Sequence, residues 1–387
     1  MATIAGLRGA QGRARSTTAQ TTELDPFMLV LVAVLTGFGL VTIWSADGAG
    51  AITLGSPVIR QGMFAISGVI AMVVLASVNY RFLKSLAPVI YGASIALLLS
   101  LMFIGTSILG ATRWIYIGPV SFQPSEVAKL GVIIALAAFI SEHHDEMDRF
   151  QNFLISIAIV GVPFLLVFEQ PDLGTSVVFG VVWFVMMLMS STRLLYLAGV
   201  VALAIPGSLF AWRYMLLPYQ RDRLMVSYDP YRDYFGEGFN IIQAQVTIGS
   251  AGWFGHGLSG GSQSEFQLLS VRTSDFVFAH AMSMFGFVGG IALFFTFMLL
   301  LWRILRVVGI ARDTFGQQLA VGVAVMIFFQ MFVNIGMNLG IMPVTGIPLP
   351  FISLGGTSLF VTMSAIGILQ SVVMNHRGLG FQSQTRR

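Results

Sequence analysis

The 387-residue sequence contains no cysteine, which excludes disulfides, thiolate metal sites and cysteine nucleophiles. Charge is scarce as well: Asp, Glu, Lys and Arg make up 10% of the chain, against about 25% in soluble domains. No His, Asp and Glu residues gather at metal-ligand spacing, and neither a phosphate-binding glycine loop nor a nucleophile triad is present. Nothing in the sequence suggests a nucleic-acid partner. The first 26 residues are polar, carry Arg8, Arg13 and Arg15, and lack the apolar core of a secretory signal. They are expected to form a disordered cytoplasmic tail ahead of an uncleaved first helix. What the chain has in abundance is apolar surface, with 56% hydrophobic residues. It reads as an integral membrane protein.

A spanning helix needs about 20 mainly apolar residues. That criterion predicts an all-α fold of about ten transmembrane helices, at 27–45, 61–78, 86–104, 125–141, 153–169, 174–190, 195–212, 276–302, 318–340 and 357–374. The fourth to sixth are short. The expected organisation is the tail 1–26, one membrane domain 27–374 and a C-terminal cytoplasmic tail 375–387. Basic residues mark the inner side of a membrane protein, and Arg303, Arg306 and Arg312 form the clearest such group. Both termini are therefore expected inside. Parity puts segments 46–60, 105–124, 170–173, 213–275 and 341–356 outside.

Outer segments normally lack Lys and Arg. Here they carry, or lie next to, Arg60, Arg113, Lys129, Arg213, Arg221, Arg223, Arg232 and Arg272. Such a collection suggests an anionic ligand at the outer surface, although Arg232 and Asp233 fit a solvated loop better. The stretch from Trp212 to Phe276 is the one long polar interval, and it ends in Asp275 directly before an apolar run. Gln123-Pro124-Ser125-Glu126 has the form of a helix start. Glu126 and Lys129 share one face of that helix, and an ionisable group in a span is usually functional. The plainer reading is an ion pair that lets both be buried. Asp172, at a Pro-Asp-Leu-Gly turn, is better read as the cap of the sixth helix than as a ligand. The uncharged, proline- and glycine-rich segment 341–358 suggests a re-entrant wall, since such backbone is tolerated at membrane depth only against protein or a wet cavity. Gly336 and Gly340 suggest close helix packing. His280 suggests a polar contact between helices, and His143 and His144 a solvated loop.

Several long motifs in order, GATRWIYIGPVSFQPSEVAK, QPDLGTS, GFNIIQAQVTIGSAGWFGHG, SDFVFA and NIGMNLGIMPVTGIPLPFISLGGTS, resemble the SEDS family of peptidoglycan polymerases, typified by RodA and FtsW. Val344-Thr345-Gly346 is most like its elongation branch. The resemblance implies a glycosyltransferase of the bacterial plasma membrane that polymerises lipid II on the outer face, beside a class B penicillin-binding protein. It implies Asp275 as the catalytic base. Glu126, Lys129, Arg113, Trp114, Arg60 and Arg223 are implied around the substrate, with Arg221, Arg272 and Asp172 as further candidates. A divalent cation (Mg or Mn) could share the work on the pyrophosphate, with carboxylates such as Glu126 as ligands, although no metal site is read from the sequence. Three positions depart from the family pattern: Thr273-Ser274 stands where His-Thr is usual, Ser283-Met284 where a Glu pair is usual, and Asn79 where an Asp is usual. Two alternatives stand beside the polymerase, a lipid II flippase and a catalytically silent scaffold for the penicillin-binding protein.

Overall fold

The computed structural model describes residues 24–50, 53, 55–104, 106–108, 111–117, 120–234, 236–258 and 273–375. The expected tails (1–23 and 376–387), Arg272 and most of the glycine-rich stretch before it lie outside these residues. Among the described residues twelve α-helices run in chain order: α1 (Pro26–Ala46), α2 (Pro57–Ser77), α3 (Arg81–Ile104), α4 (Pro124–Glu142), α5 (Phe150–Glu169), α6 (Leu173–Leu188), α7 (Leu194–Phe210), α8 (Pro218–Tyr228), α9 (Glu237–Ser250), α10 (Val277–Ile310), α11 (Thr314–Asn338) and α12 (Gly356–Asn375). Among the described residues nine helices are long and apolar enough to cross a membrane. α6, where the sequence predicts a further span, is a shorter apolar helix. Its 16 residues rise only about 24 Å, short of a hydrocarbon core of about 30 Å.

The centre of the bundle is set by burial. α12 is 89% buried along its apolar window, and α4 and α11 are each 72% buried, whereas α7 is 6% buried. α12 lies along α2, α4 packs between α3 and α11, and α10 packs on α1 and α11. At one end of the bundle the charges are paired. Arg303 in α10 holds Asp25, the N-cap of α1, at 2.6 Å. Arg81 meets Asp313 at 3.1 Å, and Arg193 meets Asp148 at 3.1 Å. Tyr80, in the turn between α2 and α3, donates to Asp313 at 2.9 Å. Burial, then the hydrogen bond to that carboxylate, raises its phenol above the usual value of 10.0.

Three features depart from the reading of the sequence. The connection before α4 folds as a small antiparallel sheet of β1 (Thr106–Ile108), β2 (Ala111–Ile117) and β3 (Val120–Phe122), in the order β1-β2-β3. The polar interval 213–275 contains α8 and α9 instead of being loop throughout. The eighth span is longer than 276–302, and it is broken. Gly286 has φ 67° and ψ −165°, so α10 is a half-helix 277–285 followed by a long helix 287–310. That geometry belongs to the region open essentially to glycine alone.

The break is filled by the segment after α9. His256 and Gly257 donate their N–H groups to the carbonyls of Ser283 (2.8 Å) and Met284 (3.0 Å). On the other side of the break, the N–H groups of Phe287 and Val288 reach the carbonyls of Gly252 (2.9 Å) and Trp253 (3.1 Å). Backbone groups freed by a helix break inside a membrane protein must find partners, and here a single crossing strand supplies four.

Candidate active site

Asp275 stands at the head of the half-helix and is fixed through its backbone. Its carbonyl accepts from Asn338 Nδ2 at 3.0 Å and from Asn334 Nδ2 at 3.3 Å, both on α11. Asn334 also donates to the Ile347 carbonyl at 2.9 Å, and Asn338 Oδ1 accepts from the Ala279 N–H at 3.0 Å. These two fully buried amides therefore tie the half-helix, α11 and the 341–355 segment together. A second anchor lies just upstream. Ser353 Oγ donates to the Ser274 carbonyl at 2.8 Å, and the Leu354 N–H donates to the Thr273 carbonyl at 2.8 Å. Gln61 of α2 holds this turn from behind, donating to the Ser353 carbonyl at 3.0 Å and accepting from Gly355 N–H at 3.3 Å.

Arg113 of β2 approaches from the other side. It donates to the Pro171 carbonyl and lies 3.8 Å from Asp172 Oδ1. Asp172 caps α6, accepting from the Thr175 N–H at 3.2 Å and its hydroxyl at 2.9 Å. Arg113 and the catalytic candidate both come close to Gly346. A side-chain carbon placed on Gly346 would stand 4.0 Å from Arg113 Nη1 and 4.0 Å from Asp275 Oδ2. The carboxylate and the guanidinium are thus no more than twice that distance apart. The adjoining cleft is lined by Arg113, Pro171, Gln220, Arg223, Val344 and Thr345. Arg113 Nε and Thr345 Oγ1 are buried there without a hydrogen-bond partner among the described residues, and buried polar groups are otherwise almost always satisfied. The cleft thus sets an unused donor and an unused acceptor in a largely apolar lining that includes Leu173, Leu224 and Pro343.

The other candidates are placed as follows. Arg223 and Arg221 both project from α8. Arg221 donates to the Arg213 carbonyl at 3.2 Å, and its Nε is buried without a partner among the described residues. Trp114 follows Arg113 on β2 and pairs in register with Thr106. Arg60 lies half-buried in the first turn of α2, next to Gln61. Glu126 and Lys129 form an ion pair of 2.8 Å, each side chain 2% exposed, at the start of α4. The adjoining Gln123 N–H bonds Thr357 of α12 at 3.2 Å. His280 is fully buried and meets Ser45 of α1 at 3.1 Å. Glu126 is taken by Lys129, Asp172 by Arg113 and the α6 cap, and no group of three His, Asp or Glu gathers among the described residues.

Asn334, Asn338, Gln61 and Ser353 were not singled out from the sequence. Two amides four residues apart in an apolar span, Asn334 and Asn338, were the available signal, since i and i+4 share a helix face.

The family model described as "Cell cycle protein", covering FtsW, RodA and SpoVE, matches residues 26–378. The chain belongs to the SEDS family. Among similar SEDS proteins, the peptidoglycan glycosyltransferase MrdB of Escherichia coli K12 is 38% identical over 353 residues, 90% of this chain and 93% of that protein. Stage V sporulation protein E of Bacillus subtilis is 34% identical over 362 residues, 92% of this chain and 98% of that protein. Two solved SEDS structures share the fold. A chain from a peptidoglycan synthase complex that coordinates polymerisation and crosslinking aligns with a TM-score of 0.78 and 31% identity, covering 92% of this chain and 99% of that one. The rod shape determining protein RodA of Thermus thermophilus aligns with a TM-score of 0.69 and 28% identity, covering 92% and 98%.

Proposed function

We propose that this peptidoglycan glycosyltransferase, a multi-pass bacterial membrane protein, polymerises lipid II with Asp275 as general base. The reaction joins two lipid-linked disaccharides. A sugar hydroxyl attacks an anomeric carbon, a C–O bond forms, and the bond to the lipid pyrophosphate breaks. The hydroxyl proton passes to Asp275 as charge develops, the role of a positioned carboxylate. The departing pyrophosphate gathers negative charge, which Arg113 and Arg223 are placed to stabilise by preorganised electrostatics and by arginine's paired N–H donors. The observation that carries this reading is that a base, Asp275, and a cation, Arg113, both come close to Gly346, a residue without a side chain. Arg221 extends the positive wall along α8. Glu126 and Lys129 neutralise each other, which lets both be buried at the start of α4.

The site faces outward on this reading, with both termini inside, because the paired charges Asp25–Arg303 and Arg81–Asp313 lie at the opposite end with the basic residues of the inner loops. A penicillin-binding transpeptidase is the partner that the peptidoglycan synthase relative supports. The test is polymerisation of lipid II by the purified protein in detergent, with and without that transpeptidase. Asp275→Asn is expected to abolish glycan chains while leaving the melting midpoint near that of the parent. Full polymerisation by that variant would overturn the assignment. Movement of lipid II across vesicles without polymer would select the flippase.

A further inference from the structure

At the end of the bundle opposite Asp275, a second cavity opens sideways between α3, α4 and α5. It measures about 200 Å³, and Lys84, Pro88 and Tyr91 on α3 face Ala135, Phe139 and Glu142 on α4 across it. Lys84, Pro88 and Tyr91 recur at helical spacing, as do Ala135, Phe139 and Glu142, so each set is one stripe of its helix. The cavity exists because alanines floor it where larger side chains would fill the corner. Tyr91 closes the deep end, its hydroxyl donating to the Ile159 carbonyl at 2.9 Å. From Lys84 to Tyr91 the groove runs about 10 Å along the helix, a depth that acyl chain would occupy in a bilayer.

The mouth of the groove carries one charge of each sign. The Lys84 ammonium has a single hydrogen bond among the described residues, to the neutral hydroxyl of Ser141 at 3.0 Å. Glu142 is exposed at the last residue of α4 and has no ion pair among the described residues. Pro88 sits inside α3, so the Lys84 carbonyl lacks the N–H that a helix would ordinarily send it. The mouth therefore offers a cation with spare donors, an anion and a backbone acceptor, above an apolar slot open to the membrane.

We propose that this groove is a phospholipid site selective for a zwitterionic head with a primary ammonium, as in phosphatidylethanolamine. The phosphate sits on Lys84, the ammonium on Glu142 and the Lys84 carbonyl, and one acyl chain lies between Ala135 and Ile159. A choline head has no N–H to donate, and a glycerol head brings only neutral hydroxyls to Glu142 in place of an ammonium, so both are disfavoured. The site is remote from the residues assigned to catalysis.

Native mass spectrometry of the full-length protein in detergent, with phosphatidylethanolamine, phosphatidylcholine and phosphatidylglycerol of identical acyl chains, tests this. The parent is expected to retain phosphatidylethanolamine over the other two, and Lys84→Gln to weaken retention about tenfold, the scale of a hydrogen bond to a charged group. Glu142→Gln is expected to remove the preference over phosphatidylcholine, and Ala135→Phe to displace the lipid by filling the slot. Melting midpoints establish that each variant is folded. Undiminished retention by a folded Ala135→Phe protein would overturn the proposal, since the lipid would then bind outside the groove. If Ala135→Phe does not fold, a preference for phosphatidylethanolamine that persists in both Lys84→Gln and Glu142→Gln overturns it equally.

Discussion

Gly286→Ala is the most informative single substitution outside the catalytic candidates, because two separate effects fall on one atom. At φ 67° and ψ −165° any L side chain is strained by about 1–3 kcal/mol. The added carbon would also stand 2.3 Å from the Gly255 nitrogen and 2.5 Å from the Phe254 nitrogen, so the crossing strand must retreat. That strand makes the four backbone hydrogen bonds across the break, each contributing about 0.5–1.5 kcal/mol net. Losing two of them together with the strain gives a destabilisation of about 4 kcal/mol, or roughly 5 °C in the melting midpoint of a chain this size. Because the same half-helix presents Asp275, polymerisation should fall with it. The measurement is thermal unfolding in detergent alongside glycan synthesis from lipid II, with Gly249→Ala as the control. Gly249 lies in the last turn of α9 with nothing within 4 Å of the added carbon, and there alanine should stabilise by up to about 1 kcal/mol. If Gly286→Ala melts and polymerises like the parent, the strand does not hold the break as described.

Other substitutions separate structure from chemistry. Lys129→Met strands Glu126 in a buried site and should cost about 3–5 kcal/mol, while adding Glu126→Gln should restore most of the lost melting temperature; no recovery would contradict a mutually neutralising pair. Asn338→Ala removes the contacts to Asp275 and Ala279 and should lower kcat about tenfold or more through misplacement of the carboxylate, with KM little changed; steady-state kinetics read the split. The raised Tyr80 phenol keeps its proton in the folded protein where the unfolded chain has lost it. Its contribution is therefore full below pH 10 or so and declines as pH rises through the folded pKa, and Tyr80→Phe should flatten that alkaline limb of a melting-versus-pH curve.

The spans were legible because each must satisfy its own length and polarity in lipid, which runs of apolar residues record directly. Asp275 was legible as a polar exception at the head of such a run, and Arg113 as a basic residue in an outer segment. The break at Gly286 was not, because one glycine in FGFVGG does not differ in hydropathy from a packing glycine, and the strand that fills the gap comes from about thirty residues upstream. The sheet at 106–122 was hidden for a related reason: its pairing is set by neighbouring strands, whereas residues 115–122 read alone resemble an apolar loop. Asn334 and Asn338 show the limit most plainly. Their spacing marks a shared face, but only the fold reveals that the face holds the backbone of Asp275 and not a ligand.

The pairing of Asp25 with Arg303 and Gln370 bears on how the protein is made. Asp25 opens the first span, yet its carboxylate is neutralised by α10 and its backbone is bonded on both sides by the Gln370 amide of α12. A ribosome delivers these residues in order, at about 5–20 per second, so the head of the first helix waits some tens of seconds for its partners. α2 waits similarly for α12. A chain that stops before the last span would thus leave its earliest segments open, and the membrane's quality control would meet an unfinished beginning as well as a missing end.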